Sequence, residues 1–227
     1  MMMARPVIGI TPGFNGAVTA NMTYINAIAA AGGAPLILPV LENEQAMAEV
    51  ARVCDGVLFS GGGDINPLRY GEELLPGVGE MSAPRDAAEF LLMKCLQQMR
   101  QKPVLGICLG MQLMCRFSEE GNVDCLGIFD TDVKRFAPRK HEEKVPHMGW
   151  NTISCLKSDL FKGFTRDEFV YFVHSYYVPV SEFTAAETDY IRPFSAALHK
   201  DNFYATQFHP EKSGEAGERI IKNFLEL

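Results

Sequence analysis

Apolar residues recur along the first hundred positions in two alternating rhythms. Short runs rich in β-branched and aliphatic residues ("RPVIGITPG", "APLILPV", "DGVLFSGGGD", "PVLGIC") alternate with stretches whose apolar positions fall at helical spacing. The latter are "TYINAIAAAGG" (23–33), "NEQAMAEVARVC" and "RDAAEFLLMKCLQQMRQK", the first closed by two glycines, a normal helix stop. This β-α-β-α order predicts a parallel sheet covered on both faces by helices. The second half is richer in strands: "CLGIFDTDVKRF", "WNTISCL", "EFVYFVHSYYVPV", "FSAALHK" and "FYATQFHP". It closes on "GEAGERIIKNFLEL", an amphipathic helix with Ile220, Ile221, Phe224 and Leu225 on one face. With no repeat, low-complexity tract or break in composition, residues 1–227 read as one α/β domain. Its sheet is doubly wound and mostly parallel, with an antiparallel second half.

Composition narrows the function. The chain is 47% hydrophobic and 22% charged, ordinary for a soluble globular protein. No apolar run reaches the ~18 residues of a spanning helix, and "MMMARPVIGI" makes a poor signal peptide, so the expected location is the cytoplasm. A net charge of −7 argues against nucleic acid as a partner. The most basic stretch, "DVKRFAPRKHEEK" (132–144), runs at once into acidic residues and reads as a solvated or protein-contacting surface. Six cysteines (54, 95, 108, 115, 125, 155) lack a CxxC pair or zinc-site spacing; reduced, mostly buried thiols are expected, and no metal.

Candidate chemistry gathers at two stretches. In "VLGICLGMQL" (104–113), Cys108 sits where a strand gives way to a helix, the usual place for sites in open α/β sheets. The flanking Gly106 and Gly110 permit a sharp turn and close approach of a substrate. A buried structural cysteine is the alternative. In "ATQFHPEKSG" (205–214), His209 follows a strand and Glu211 lies two residues on, both on one side of an extended segment. A nucleophilic cysteine needs a base to take its proton and an acid to orient that base, and Cys108, His209 and Glu211 supply those three types.

"GICLGMQ" together with "QFHPEKS" resembles the class I glutamine amidotransferases, whose domains hydrolyse glutamine with a Cys-His-Glu triad. From about residue 104 the chain is similar to the glutaminase subunits of imidazole glycerol phosphate synthase, through "GICLGMQLM", "SEEG", "KVPHMGWN", "YFVHSYY" and "QFHPEKSG". The first hundred residues instead resemble the γ-glutamyl-γ-aminobutyrate hydrolase-like family, through "PVIGITP", "YINAIAAAGGAPLILP", "DGVLFSGGGDINPLRYGEE" and "RDAAEFLLMKCL". That second family usually follows its cysteine with arginine, where this chain has Leu109. The chain therefore reads as a hybrid.

The resemblance implies a mechanism without cofactors. Cys108 attacks the glutamine amide, His209 moves the proton to ammonia, and Glu211 holds His209. One oxyanion donor is expected at the Leu109 amide. The other is expected at a glycine turn, Gly61, Gly62 and Gly63 of "SGGGD" being favoured over "PGVG" (76–79). Carried over residue by residue, Gln112, Glu120, Ser175 and Tyr176 are expected to hold glutamine. His147, Met148 and Trp150 are expected to face a (β/α)8-barrel cyclase, with a core tryptophan as the alternative. His174, lacking a following acid, is expected to be structural. The implied activity is ammonia production for histidine biosynthesis, nearly silent without the cyclase. The alternatives are a stand-alone γ-glutamyl amide hydrolase and a scaffold without turnover.

Overall fold

A computed structural model describes residues 5–61, 82–165 and 168–227. Strand β1 (Val7–Ile10) is followed by a small hairpin, β2 (Gly13–Phe14) and β3 (Val18–Thr19), and then by α1 (Met22–Ala30), β4 (Ala34–Ile37), α2 (Glu44–Val53) and β5 (Gly56–Phe59). Helix α3 (Ala83–Gln97) leads into β6 (Val104–Ile107) and the one-turn α4 (Leu109–Leu113). Short strands β7 (Phe117–Ser118), β8 (Val123–Asp124) and β9 (Asp132–Arg135) precede a long pair, β10 (His147–Ile153) and β11 (Glu168–His174). The chain ends through β12 (Tyr176–Tyr177), β13 (Thr184–Tyr190), β14 (Arg192–Lys200), β15 (Phe203–Thr206) and α5 (Gly214–Leu225).

Local chemistry starts the helices where the pattern places them. The Asn21 side chain accepts from the Thr23 amide, Asn43 from Ala46, and Ser82 from Arg85, each satisfying a donor that the first helical turn leaves orphaned. The strand expected over 125–136 is shortened to β9, and the one expected over 168–180 breaks between β11 and β12 at Ser175.

Seven strands form the central sheet in the order β13-β14-β15-β6-β5-β1-β4. Strands β4, β1, β5, β6 and β15 run parallel, and β14 and β13 add antiparallel at one edge. β5 and β6 are buried throughout, as strands covered on both faces must be. One face packs Ile8, Ile28, Phe172, Phe194 and Phe208 against Ile220, Ile221 and Phe224 of α5; Leu225 is only half-buried. The other face packs Leu38, Phe59, Leu92, Met111 and Phe129. Cys54, Cys95 and Cys115 are among the buried residues of that second face. No described helix is long and apolar enough to cross a membrane.

For the site, the decisive register is that of β15 against β6, which pairs Thr206 with Ile107. The two strands end side by side, so Cys108, just past β6, and the segment from Gln207 to His209, just past β15, emerge at one edge of the sheet.

Candidate active site

Cys108 has φ 54° and ψ −104°, a left-handed backbone that a residue with a Cβ occupies only when its surroundings impose it. Those surroundings are visible. The Cys108 amide donates to Thr206 O at 2.8 Å, anchoring the bend to β15. A Cβ on Gly106 would lie 2.7 Å from Gly110 O, and one on Gly110 would lie 3.0 Å from Phe59 O. Only glycine at both positions lets α4 fold back against β5 and β6, which lifts the cysteine out of the sheet. Leu109, the first helical residue, carries one of the amides that a helix start leaves without an internal partner.

His209 stands at the end of the neighbouring strand. Its amide donates to Tyr171 O (2.9 Å), its carbonyl accepts from Ser213 Oγ (2.6 Å), and its Nδ1 meets Glu211 Oε1 at 2.7 Å. The two are joined by a 3-10 turn (Pro210–Lys212), not by the extended segment expected from the spacing. Proline at the start of that turn swings Glu211 back under the ring. The Glu211 side chain is fully buried and that of His209 nearly so. Burial pulls the His209 pKa down, but hydrogen bonding and charge from Cys108 and Glu211 outweigh it and lift it to about 9. With Nδ1 committed to the carboxylate, Nε2 is the nitrogen left for the thiol. Nε2 is buried and meets no hydrogen bond of regular geometry among the described residues, so the Cys108 contact is loose, as in many resting sites.

A second layer of contacts was not legible in the sequence. Gln207, fully buried, donates to Cys108 Sγ at 3.7 Å and accepts from Gln112 Nε2 at 3.1 Å. Gln112 Nε2 also lies 3.5 Å from Tyr176 O. Gln112 and the Tyr176 backbone, both expected near glutamine, are thus joined to Cys108 through Gln207. Ser175 O accepts from the Phe136 amide, and Glu120 lies between β7 and β8, where its charge helps raise the Cys125 thiol.

Of the expected glycine turn, Gly61 is described, whereas Gly62, Gly63 and residues 76–79 lie outside the described residues. The Gly61 amide donates to the Tyr24 hydroxyl at 3.1 Å, and a Cβ at Gly61 would lie 3.5 Å from His209 Cε1. Ser60, just before it, is held by Arg85 Nη2 on its carbonyl (3.0 Å) and by its own hydroxyl on Thr11 O (2.9 Å). Arg85 is in turn paired with Glu89 at 2.9 Å.

His147 does not lie on an exposed face, contrary to the expectation for it. Successive strand residues point to opposite sides, so His147 turns inward while Met148 and Trp150 turn outward with their cross-strand partners. The ring stacks on Tyr190 (4.0 Å between centroids), and its Nδ1 lies 3.1 Å from His174 Nε2. His174 Nδ1 lies 2.5 Å from Tyr176 O. Burial lowers the pKa of His147 to about 4 and that of His174 to about 3. Met148, Trp150 and Phe169 are 63%, 56% and 61% exposed, which rules out a core tryptophan.

The family model described as Peptidase C26 matches residues 6–211. An imidazole glycerol phosphate synthase subunit HisH from Bacteroides fragilis (strain YCH46) is 86% identical over 155 residues, 68% of this chain and 79% of the relative. The subunit of the same name from Escherichia coli (strain K12) is 49% identical over 159 residues, 67% of this chain and 78% of the relative. Among solved structures, PurLQS from Thermotoga maritima is similar over 98% of this chain and 99% of that one, with a TM-score of 0.63 at 17% identity. That likeness shows the mixed α/β fold with its mostly parallel central sheet.

Proposed function

The chain belongs to the Peptidase C26 family and to the HisH subunits of imidazole glycerol phosphate synthase, and from that membership we propose how it hydrolyses glutamine and whom it serves. It is a class I glutamine amidotransferase, converting the side-chain amide of glutamine to glutamate and ammonia for histidine biosynthesis. The observation that carries the mechanism is the Glu211–His209 pair at 2.7 Å, set beside the strained Cys108 bend.

In the proposed reaction the Cys108 thiol passes its proton to His209 Nε2 as the sulfur attacks the amide carbon, forming a C–S bond while the carbonyl π pair moves to the amide oxygen. His209, which holds that proton at neutral pH because its pKa is raised to about 9, gives it to the departing nitrogen as the C–N bond breaks. Water then adds to the thioester, His209 takes up its proton, and glutamate leaves with Cys108 restored. Glu211 fixes the ring through Nδ1 and offsets its charge. The Leu109 amide is one oxyanion donor. Gln112 and Glu120 help hold the glutamine, and the backbone around Ser175 and Tyr176 contacts its α-amino acid end.

The outward face carrying Met148, Trp150 and Phe169 fits a partner, since exposed aromatic and methionine side chains on one rigid pair of strands are typical anchors. The partner we assign is a (β/α)8-barrel cyclase that takes up the ammonia, in the cytoplasm. The HisH match spans 155 residues, more than the 124 from residue 104 to the end, so that likeness reaches back before residue 104.

Glutamate release from glutamine, with and without an imidazole glycerol phosphate synthase cyclase and its nucleotide ligand, tests the reading. Stimulation by the cyclase is expected. Cleavage of a γ-glutamyl amide without stimulation would replace it by a stand-alone hydrolase.

A further inference from the structure

Tyr24 takes no part in the bond and proton changes of the reaction, yet it reaches the centre of the site. It lies on the buried side of α1, is 5% exposed, and stands on a helix packed against the 3-10 turn that carries Glu211. A phenol hydroxyl has one proton to give and lone pairs to receive. Here a lone pair receives the Gly61 amide at 3.1 Å, which leaves the proton to be placed. Across from it, Glu211 Oε1 is committed to His209 Nδ1, while Oε2 is buried and meets no hydrogen bond of regular geometry among the described residues. A buried carboxylate oxygen without a donor is costly, and so is a buried hydroxyl without an acceptor.

We propose that Tyr24 is a positioning residue whose hydroxyl accepts the Gly61 amide and donates its proton to Glu211 Oε2. One side chain then ties the start of the glycine turn to the acid of the triad. Burial and the Glu211 charge hold the phenol far above its ordinary range, so it stays a donor at any working pH. A Cβ at Gly61 would come 3.2 Å from the Tyr24 hydroxyl and 3.5 Å from the His209 ring, so phenol and imidazole both border the start of the turn. Because the Gly61 amide is held by Tyr24, its role is positioning. The Tyr24 link between strand end and triad comes from the first hundred residues, outside the stretch from residue 104 that carries Cys108, His209 and Glu211.

The inference rests on the glutaminase reading, and its test separates the two. Tyr24→Phe keeps the ring and removes the hydroxyl. With the cyclase present, kcat for glutamine is expected to fall about tenfold, the size of one lost hydrogen bond to a charged group, with KM within about twofold. In a Glu211→Gln background the same change is expected to cost less than about twofold, because the link is already altered. Equal losses in both backgrounds, or an unchanged kcat, would overturn the proposal. A second measurement needs neither turnover nor a Tyr24 variant: the Gly61 amide nitrogen resonance should move on Glu211→Gln, and an unmoved resonance would contradict the link. If the unaltered protein releases no glutamate, the glutaminase reading fails while the resonance still judges Tyr24.

Discussion

At His209 the competition between burial and charge decides how the site responds to pH. Its pKa in the folded protein is raised to about 9 from an ordinary value near 6.5. The stability it contributes is therefore complete below about pH 6.5 and is lost as pH rises through 9. The proton it gives to ammonia disappears over the same upper limb, so glutamine turnover is expected to fall as pH passes about 9. A pH profile of glutamate release checks this, and a rate still rising at pH 10 would contradict it. His147 and His174 work in the opposite sense. Both are held neutral with pKa values near 4 and 3, so the unfolded chain takes up protons first as pH falls below 6.5. Stability is expected to drop by on the order of 5 kcal/mol between pH 6.5 and 4, read from urea midpoints at constant m-value. Cys108, His209 and Glu211 were legible as a candidate triad because their side-chain types are chemically distinctive. Gln207 and Tyr24 were not, since a glutamine after a strand and a tyrosine in a helix look ordinary until the fold sets them beside a thiol and a carboxylate.

Among the elements, the contact between β6 and α4 is the one that positions Cys108. A Cβ at Gly106 would meet the backbone of Gly110 at 2.7–2.8 Å, and neither side is a flexible chain end that can swing away. Gly106→Ala is expected to cost about 1–3 kcal/mol in thermal or denaturant melts and to lose most activity by displacing Cys108. A variant as active and stable as the parent would show that the close crossing is not needed. On the long β10–β11 pair, Trp150→Ala should leave the melting temperature of the isolated chain within about 2 °C, since an exposed side chain contributes little to folding. Stimulation of turnover by the cyclase should fall at least tenfold with it. The strand and helix order of the first half was legible from its two hydrophobic rhythms. Smaller pieces were not: the hairpin at 13–19 rests on two-residue strands, and the break at Ser175 interrupts an apolar run that reads as one strand.

Across the molecule, one sheet joins both halves of the chain. β5, from the first half, pairs in register with β6, the strand that delivers Cys108, and β6 pairs with β15, which delivers His209. The alternation of elements foretold the sheet and its mixed character. It did not foretell that β10 and β11 form a separate pair, because local pattern carries no record of which strands meet. Catalysis is thereby assigned to the edge of this sheet, and its control to the exposed β10–β11 face. Glutamate release by the purified chain, alone and with the cyclase plus its nucleotide ligand, puts that division to the test, with Cys108→Ala as control. Little release alone, strong stimulation by the cyclase, and none from Cys108→Ala under either condition are expected. Turnover that survives Cys108→Ala, or that ignores the cyclase, would contradict it.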